Sequence, residues 1–380
     1  MARTVVISDL HLGASSGNDL LRAPAFRERL APALAGAERI VLLGDIVELR
    51  DRPIAEALGT AAPLFAMVGE VAPGAELVLV PGNHDHYLFS AWSESRRLRG
   101  GVKPLGLEQR AKASSGPMRV LAGQVPDCEL WLAYPGVWLA DGVYATHGHY
   151  LDAHLTVPTF ERLGVGVVER VIGGLPHGGR TPDDYERAQA PLYAFLFSLA
   201  QSGGIGAGGP GPSARVWSAV GGGATAAKRM RGLLLGSVAL PGAVAVANRL
   251  GIGRFKPDLS LEEISRATIA AMAETVERLE IEAETVIFGH THRRGPLADE
   301  SPWKSSDGAS LVNTGSWVYS PALLGKTAAA SPYWPGTIAV LDGAEVRLEH
   351  LLDDAPHVQI RHGLADADRD GEDDRQGEDA

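Results

Sequence analysis

The 380-residue sequence predicts an α/β sandwich built from two mixed sheets. Short apolar runs rich in Val, Ile and Leu recur along the chain, a polar loop follows each run, and helical patterns lie between several of them. Runs this short and continuous are typical of strands that are buried on both faces. The predicted strands cover residues 4–7, 39–43, 76–80, 129–134, 143–146, 285–288 and 309–313.

Helical patterns and one hairpin complete the predicted core. The predicted helices are 18–35, 54–71 and 260–282. The last of them begins with Ser260 and has Glu263 three residues later, a spacing typical of a capping box. Near the end of the chain, the runs 337–341 and 345–350 flank an Asp-Gly turn and therefore indicate a β-hairpin.

The strand pattern stops between residues 151 and 257, so we predict a mostly helical insertion there. Nine glycines between Gly203 and Gly223 indicate a flexible linker inside it. The apolar run 233–246 is too short to span a membrane and contains Pro241. Packing against the core is expected for this run, with an interfacial or acyl-binding lid as the alternative. The insertion divides the predicted core into residues 1–150 and 258–352.

Composition and charge restrict the class of protein. The chain is 45% hydrophobic and 21% charged, as in ordinary globular proteins, and its net charge is −11. This acidity argues against a nucleic-acid partner, because nonspecific nucleic-acid binding needs a basic surface. Acidic residues are concentrated after residue 362, where apolar side chains are few, so the segment 353–380 is predicted to be a disordered acidic tail.

Two further features concern the cellular compartment. Cys128 is the single cysteine, which excludes an intrachain disulfide. The first predicted strand begins at once, without the pattern of a signal peptide. We therefore expect a cytoplasmic protein, with the inner face of the membrane as an alternative location.

Five short motifs follow five of the predicted strands, at the edge where open α/β sheets place their ligands. In an extended segment, Asp9 and His11 would project to one side, as would His290 and His292. Carboxylate, imidazole and amide donors suit Mn²⁺, Fe or Zn²⁺ better than Ca²⁺, and the absence of thiolates argues against a structural zinc site. The motifs are Asp9-Leu10-His11, Gly44-Asp45, Gly82-Asn83-His84-Asp85, His147-Gly148-His149 and Gly289-His290-Thr291-His292.

Together with the strings from Ser8 to Gly13 and from Asn313 to Trp317, these motifs resemble the signature of the calcineurin-like metallophosphoesterases. The resemblance covers the chain outside the insertion and the tail. It implies a four-layer α/β/β/α metallophosphoesterase sandwich. It also implies two divalent metal ions, with manganese expected first and iron or zinc as alternatives.

The resemblance also implies a role for each motif residue. His84 would act as a general acid or charge stabiliser beside the leaving group, and Asp85 would orient its ring. His149 and Arg293 are weaker candidates for supporting a ligand or contacting the substrate. The implied ligands are Asp9, His11 and His292 for one metal, Asn83, His147 and His290 for the other, and Asp45 as the bridge between them.

The implied reaction is hydrolysis of a phosphate ester or pyrophosphate through a metal-bridging hydroxide. Glu48, where the family commonly has aspartate, and Asp152 after the fourth motif resemble the UDP-diacylglucosamine pyrophosphatase branch. That branch implies a lipid-linked substrate and peripheral membrane contact through the insertion. A soluble phosphodiesterase acting on a nucleotide or cyclic nucleotide is the alternative enzyme, and a non-catalytic scaffold of the same fold is the alternative of a different class.

Overall fold

A computed structural model describes residues 3–98, 100, 103–114, 116–173, 180–202, 240–258, 260–321, 323–324 and 331–378. The predicted Gly-rich linker and the first half of the apolar run 233–246 lie outside the described residues.

The strands follow the predicted runs closely, and the predicted hairpin is present at the end of the core. The strands are β1 (Arg3–Ile7), β2 (Arg39–Leu43), β3 (Glu76–Val80), β4 (Glu108–Lys112), β5 (Glu129–Ala140), β6 (Val143–Thr146), β7 (Thr285–Phe288), β8 (Arg294–Gly295), β9 (Ser310–Thr314), β10 (Thr337–Asp342) and β11 (Glu345–His350).

Helices lie between the strands, and two short 3-10 helices, Leu20–Arg22 and His149–His154, accompany them. The α-helices in the described residues are α1 (Pro24–Leu34), α2 (Ile54–Val71), α3 (Tyr87–Leu98), α4 (Gly116–Gln124), α5 (Phe160–Ile172), α6 (Pro182–Gln201), α7 (Leu240–Arg249), α8 (Leu261–Arg278) and α9 (His357–Glu378).

Strand β5 joins two mixed sheets. In the first sheet, β1, β2, β3 and the start of β5 run parallel, β10 and β11 extend the sheet beyond β1, and β4 pairs with β5 antiparallel. The end of β5 pairs with β6 past a register shift between Trp138 and Ala140. Strands β6, β7 and β9 then run parallel, and β8 pairs with β9 antiparallel.

The two sheets pack face to face, and helices cover their outer faces. Val6 of β1 and Val41 of β2 share one apolar core with Ile287 of β7, so this core lies between the sheets. Val5 and Ile7 point the other way, as strand alternation requires, and pack with α1, α2 and α4. Helix α8 covers the second sheet. The predicted four-layer α/β/β/α sandwich is confirmed.

Two helix starts differ from the prediction. The expected helix 18–35 is interrupted at Ala23, whose backbone is extended because Pro24 follows it and opens α1. The Ser260 side chain accepts a hydrogen bond from the Glu263 backbone N–H at 3.2 Å, as predicted. The Glu263 carboxylate does not complete the capping box, because it pairs with Arg266 instead.

Helix α2 is long and apolar enough, at 18 residues, to cross a membrane by length and composition alone, and no other helix in the described parts of the chain meets that criterion. Leu64, Phe65 and Val68 on one of its faces are buried in the core over the first sheet. Its packing against that core accounts for the apolar composition of the helix.

The expected disordered tail is wrong over 357–378, because α9 forms there. Ile360 is 0% exposed and Leu364, one turn later, is also buried in the core that contains Phe26 of α1. Asp368 adds an ion pair to Arg22 at 2.6 Å. The prediction of disorder followed the acidic composition of the segment and missed this i, i+4 apolar pair, which can dock on a core helix.

Replacing Ile360 with alanine should destabilise the fold by about 2–4 kcal/mol, because a fully buried side chain leaves a cavity. Urea denaturation measures this change. The matched control is Val358→Ala on the same helix, where the side chain is 54% exposed, and its effect should stay within about 0.5 kcal/mol. Equal small effects for both variants would show that α9 does not dock on the core.

Candidate metal centre

The loops that follow β1, β2, β3, β6 and β7 meet at one edge of the sandwich, because all five strands end there. Backbone hydrogen bonds join them directly. The N–H of Asp9 donates to the carbonyl of Gly44 at 3.0 Å, and that of His11 donates to the carbonyl of Asp45 at 2.8 Å. The N–H of Gly289 donates to the carbonyl of His147 at 3.0 Å. The predicted motifs are thus assembled by their own main chain.

The expected extended geometry of the paired ligands is wrong. Asp9 and His11 have φ angles of 54° and 48°, and His290 and His292 have 66° and 57°. Asp45 also lies in this left-handed region, with φ of 52°. Residues other than glycine rarely adopt such φ angles. The residues that do are concentrated at functional sites, where the surrounding structure holds them in this conformation. The tight left-handed loops, and not strand alternation, aim these side chains into one cleft.

Asp45 lies between two groups of ligand atoms, and it forms a third, overlapping group with His11 and His84. Asp9, His11 and His292 offer atoms within 4.8 Å of one another, and so do Asp45, His147 and His290. Asp45 Oδ2 lies 3.3 Å from His147 Nε2 and 3.6 Å from His11 Nε2, so it reaches both groups.

Other short distances join the ligand atoms within each group. His11 Nε2 and His292 Nε2 lie 3.1 Å apart, and His292 Nε2 lies 3.4 Å from Asp9 Oδ1. Asn83 Oδ1 lies 3.3 Å from His147 Nε2 in the other group. The structure therefore brings together Asp9, His11, Asp45, Asn83, His147, His290 and His292.

Glycines make room for this convergence. Gly44 has a φ of 84°, and a Cβ at this position would overlap the ring of His147. A Cβ at Gly82 would overlap both the Asp45 carboxylate and the His147 ring. The backbone can approach the ligand side chains only because these two residues lack a side chain.

The buried carboxylates create a strongly cation-favouring environment. Burial opposes ionisation of Asp45, but the imidazoles of His147, His84 and His11 hold its pKa well below the ordinary value. Burial likewise disfavours charged histidines, yet the Asp45 carboxylate raises the pKa of His147 to about 10. Hydrogen bonding to Glu48 and the nearby carboxylates raise the pKa of His11 to about 9. Positive charge is thus stabilised where the ligand atoms converge.

Glu48 connects the ligand set to His84. Its Oε2 lies 2.6 Å from His84 Nδ1 and 3.0 Å from His11 Nδ1, while Oε1 accepts from the Arg50 backbone N–H at 3.0 Å. Burial opposes its ionisation, but the imidazoles of His84 and His11 keep the Glu48 pKa below the ordinary value. The sequence marked this residue only as a departure from the family pattern, without a role.

The predicted pairing of Asp85 with His84 is wrong. The Asp85 carboxylate instead accepts backbone hydrogen bonds from Gly82 at 2.6 Å and from Ile46 at 2.7 Å. These donors belong to two different ligand loops, which Asp85 ties together. Its side chain is fully buried, so it has no direct access to a substrate.

Asp152, in the 3-10 helix that opens the insertion, holds a ligand by its far nitrogen. Asp152 Oδ1 lies 3.0 Å from His290 Nε2, which leaves His290 Nδ1 to face the centre. A carboxylate on the distal nitrogen fixes the tautomer and orientation of a metal-binding histidine. No sequence spacing rule predicts this pair, since 138 positions separate the two residues.

The two weaker candidates lie outside the ligand set. His149 Nε2 lies 3.1 Å from the Tyr134 hydroxyl, and burial holds the pKa of His149 well below the ordinary value. Arg293 forms an ion pair with Glu300, and its guanidinium stacks over the Trp303 ring at 4.6 Å. The proposed substrate contact for Arg293 is therefore not supported, because Glu300 and Trp303 already hold the guanidinium.

Comparisons with known proteins agree with this geometry. Residues 2–167, which include Asp9, Asp45 and His147, match the family described as calcineurin-like phosphoesterase. This segment of the chain is therefore similar to the calcineurin-like phosphoesterases. The match and the ligand groups together support a metal-dependent phosphoesterase, and the matched family implies two divalent ions.

Other comparisons add less to the calcineurin-like assignment. One solved structure similar to this chain is a dimetal phosphatase from Danio rerio, with 13% sequence identity and a TM-score of 0.35, over 92% of this chain and 95% of that one. A comparison with curated proteins finds no match. The similarity to the calcineurin-like phosphoesterases rests on the match over residues 2–167.

The residues present fit a pair of divalent ions. The donors are imidazole nitrogens, carboxylate oxygens and one amide oxygen, which suit Mn²⁺, Fe or Zn²⁺. Asp45 belongs to the group with His147 and His290, and its Oδ2 also lies 3.6 Å from His11 Nε2 of the other group, so it is the residue that would hold both ions. The outer nitrogens of His11 and His290 are held by Glu48 and Asp152, the arrangement typical of metal-bound histidines.

Replacing Glu48 with glutamine should lower kcat by about 10- to 100-fold, because a neutral amide no longer anchors His84 and His11 together. Hydrolysis of bis-p-nitrophenyl phosphate with added Mn²⁺ measures the effect. Glu48→Asp should retain more activity than Glu48→Gln, and Glu56→Gln, an exposed residue on α2, should behave like wild type. An unchanged kcat in Glu48→Gln would rule out this positioning role.

Proposed function

We propose that this protein hydrolyses a phosphate ester or pyrophosphate at a dinuclear metal centre. The observation that carries the proposal is the position of Asp45 between two ligand groups. It lies with His147 and His290, beside Asn83, and its Oδ2 reaches His11 at 3.6 Å in the group that also contains Asp9 and His292. Manganese is the proposed metal. When bound, two such ions supply a water of lowered pKa and positive charge for the phosphate oxygens.

The chain itself orients the ligands and excludes water from them. Ser8 donates a hydrogen bond to Asp9 and contacts the Thr314 hydroxyl at 2.6 Å, which ties the β1 loop to the end of β9. The backbone N–H of His290 donates to Asp9 at 3.0 Å. Asp9 and Asp45 are both almost fully buried, so their charges act with little screening by solvent.

We assign the role of assisting the leaving group to His84. Its Nδ1 is engaged by Glu48, so Nε2 is the nitrogen directed away from that anchor. The ring is 22% exposed, more than the Asp45 and His147 side chains beside it. A histidine held in this way can donate a proton to a leaving oxygen at Nε2 or stabilise the charge that develops there.

Metal analysis by plasma mass spectrometry tests the centre directly. Wild-type protein purified with Mn²⁺ should hold about two metal ions per chain and hydrolyse bis-p-nitrophenyl phosphate. Asp45→Ala should lose most of both, because one substitution removes the carboxylate that lies within 3.6 Å of His147 Nε2 in one group and of His11 Nε2 in the other. Asp141→Ala, in the exposed turn before β6, is the matched control. Wild-type protein without metal or activity, even after Mn²⁺ is supplied, would favour the non-catalytic scaffold.

A lipid-linked pyrophosphate is the substrate class we favour over a soluble nucleotide. The support comes from the insertion, whose helices expose large apolar side chains that the core does not cover. They are Val167, Val171 and Ile172 on α5, Phe195 on α6 and Val246 on α7. Exposed Arg170 and Arg249 accompany them. Such a surface suits contact with an anionic membrane from the cytoplasmic side.

Sedimentation with anionic phospholipid vesicles tests this surface. Wild-type protein should sediment with the vesicles, and Val171→Asp should reduce the bound fraction by about 10-fold, because it places a charge in the apolar contact. Val120→Asp, at an exposed apolar position on α4 of the core, should bind like wild type. Failure of the wild-type protein to sediment would favour a soluble substrate such as a nucleotide or cyclic nucleotide.

A further inference from the structure

Arg50 is a buried cation beside the metal centre. The proposed chemistry assigns no role to this residue. It is 5% exposed and lies five residues after Asp45, in the loop that follows β2. Its Nη2 lies 3.3 Å from Glu161 Oε1 on α5 of the insertion. Its Nη1 lies 2.8 Å from the outer end of the Asn83 amide. A guanidinium this buried needs acceptors for its N–H groups.

The Asn83 amide can face Arg50 in two ways. With its oxygen outward, it accepts from Arg50 Nη1 at 2.8 Å, and its NH₂ group donates inward to Asp45 Oδ2 at 3.2 Å and to His290 Nδ1 at 3.1 Å. With its oxygen inward, Oδ1 lies 3.3 Å from His147 Nε2, in the position of a ligand.

In the second orientation, the Asn83 amide offers no acceptor to Arg50 Nη1. The NH₂ group of Asn83 then points at the guanidinium, and two donors cannot satisfy each other. The amide oxygen that binds a metal ion is therefore the same oxygen that Arg50 needs. Ligation by Asn83 and hydrogen bonding to Arg50 Nη1 exclude each other.

We propose that Arg50 exchanges partners as the metal centre is loaded. When the Asn83 oxygen turns inward to ligate, Arg50 Nη1 loses its acceptor and becomes available to a phosphate oxygen of the substrate, while Glu161 keeps hold of Nη2. Arg50 is thus a positioning residue for Asn83 before loading and a phosphate contact after it. This inference rests on the proposed ligand role of Asn83.

The exchange has a signature that a purely structural role lacks. Removing the guanidinium removes a competitor for the Asn83 oxygen, so Mn²⁺ should bind more tightly. The same change removes a charge-assisted donor, so phosphate should bind more weakly. A residue that merely supported the loop would weaken both when removed.

Calorimetric titration of Arg50→Met measures both affinities. Mn²⁺ titrated into metal-stripped protein should bind the weaker of its two sites about 10-fold more tightly than in wild type. Inorganic phosphate titrated into the Mn²⁺-loaded protein should bind about 10-fold more weakly. Arg52→Met is the matched control in the same loop, because Arg52 lies 3.9 Å from Glu56 and is more exposed, and both affinities should match wild type.

Each outcome bears on the proposal. Weakening of both affinities, or a change in neither, overturns the exchange. If Arg50→Met does not fold because Glu161 loses its ion pair with Arg50, the double variant Arg50→Met/Glu161→Gln removes that charge and carries the same expectations. Wild-type protein that binds no Mn²⁺ overturns the proposed function itself, whereas normal wild-type binding with an unaltered Arg50→Met overturns only the exchange.

Discussion

The Asp45 carboxylate is the charge around which the rest of the site is built. It is 1% exposed, and its oxygens face His147 Nε2, His11 Nε2 and the backbone N–H of His84. A buried carboxylate is costly unless cations and donors surround it. The loops after β1, β3, β6 and β7 therefore have to approach it closely, which requires Gly82 to lack a side chain and the ligand residues to adopt left-handed angles. The same concentration of negative charge makes the cleft a place for divalent ions.

The insertion contributes side chains that hold residues of the ligand loops, and it also exposes apolar side chains to solvent. Asp152 holds His290, Glu161 holds Arg50, and Glu186 on α6 lies 2.8 Å from His86 Nε2, directly after the third motif. Glu186 also accepts hydrogen bonds from Tyr134 and Tyr150, so a buried polar network joins α6 to β5 and to the 3-10 helix that follows β6. Movement of these helices would be transmitted to the ligand loops, because buried polar networks leave few alternative partners. The insertion and the ligand loops are thus joined by buried polar contacts.

The sequence was most informative where a function depends on residues close together in the chain. The ligand motifs could be found because each follows an apolar run, and the sandwich followed from the strand periodicity. Partner choice was harder to predict. Asp85 is adjacent to His84, yet its carboxylate binds the backbone of the Asp45 loop, while Glu48 reaches His84 from 36 positions away. The prediction from adjacency in sequence was wrong because the partner of His84 is decided by contacts between loops that meet only in the folded structure.

The sequence by itself determined which strand each motif follows, which donor atoms the motifs offer and which residues flank each ligand in the chain. Local spacing and side-chain chemistry suffice for these. Only the tertiary structure decided the left-handed angles at Asp9 and His290, the support of His290 by Asp152, and the docking of α9 through Ile360. Each of these depends on contacts between segments far apart in the chain. Such contacts exist only when two distant surfaces are complementary, and no local pattern records that complementarity.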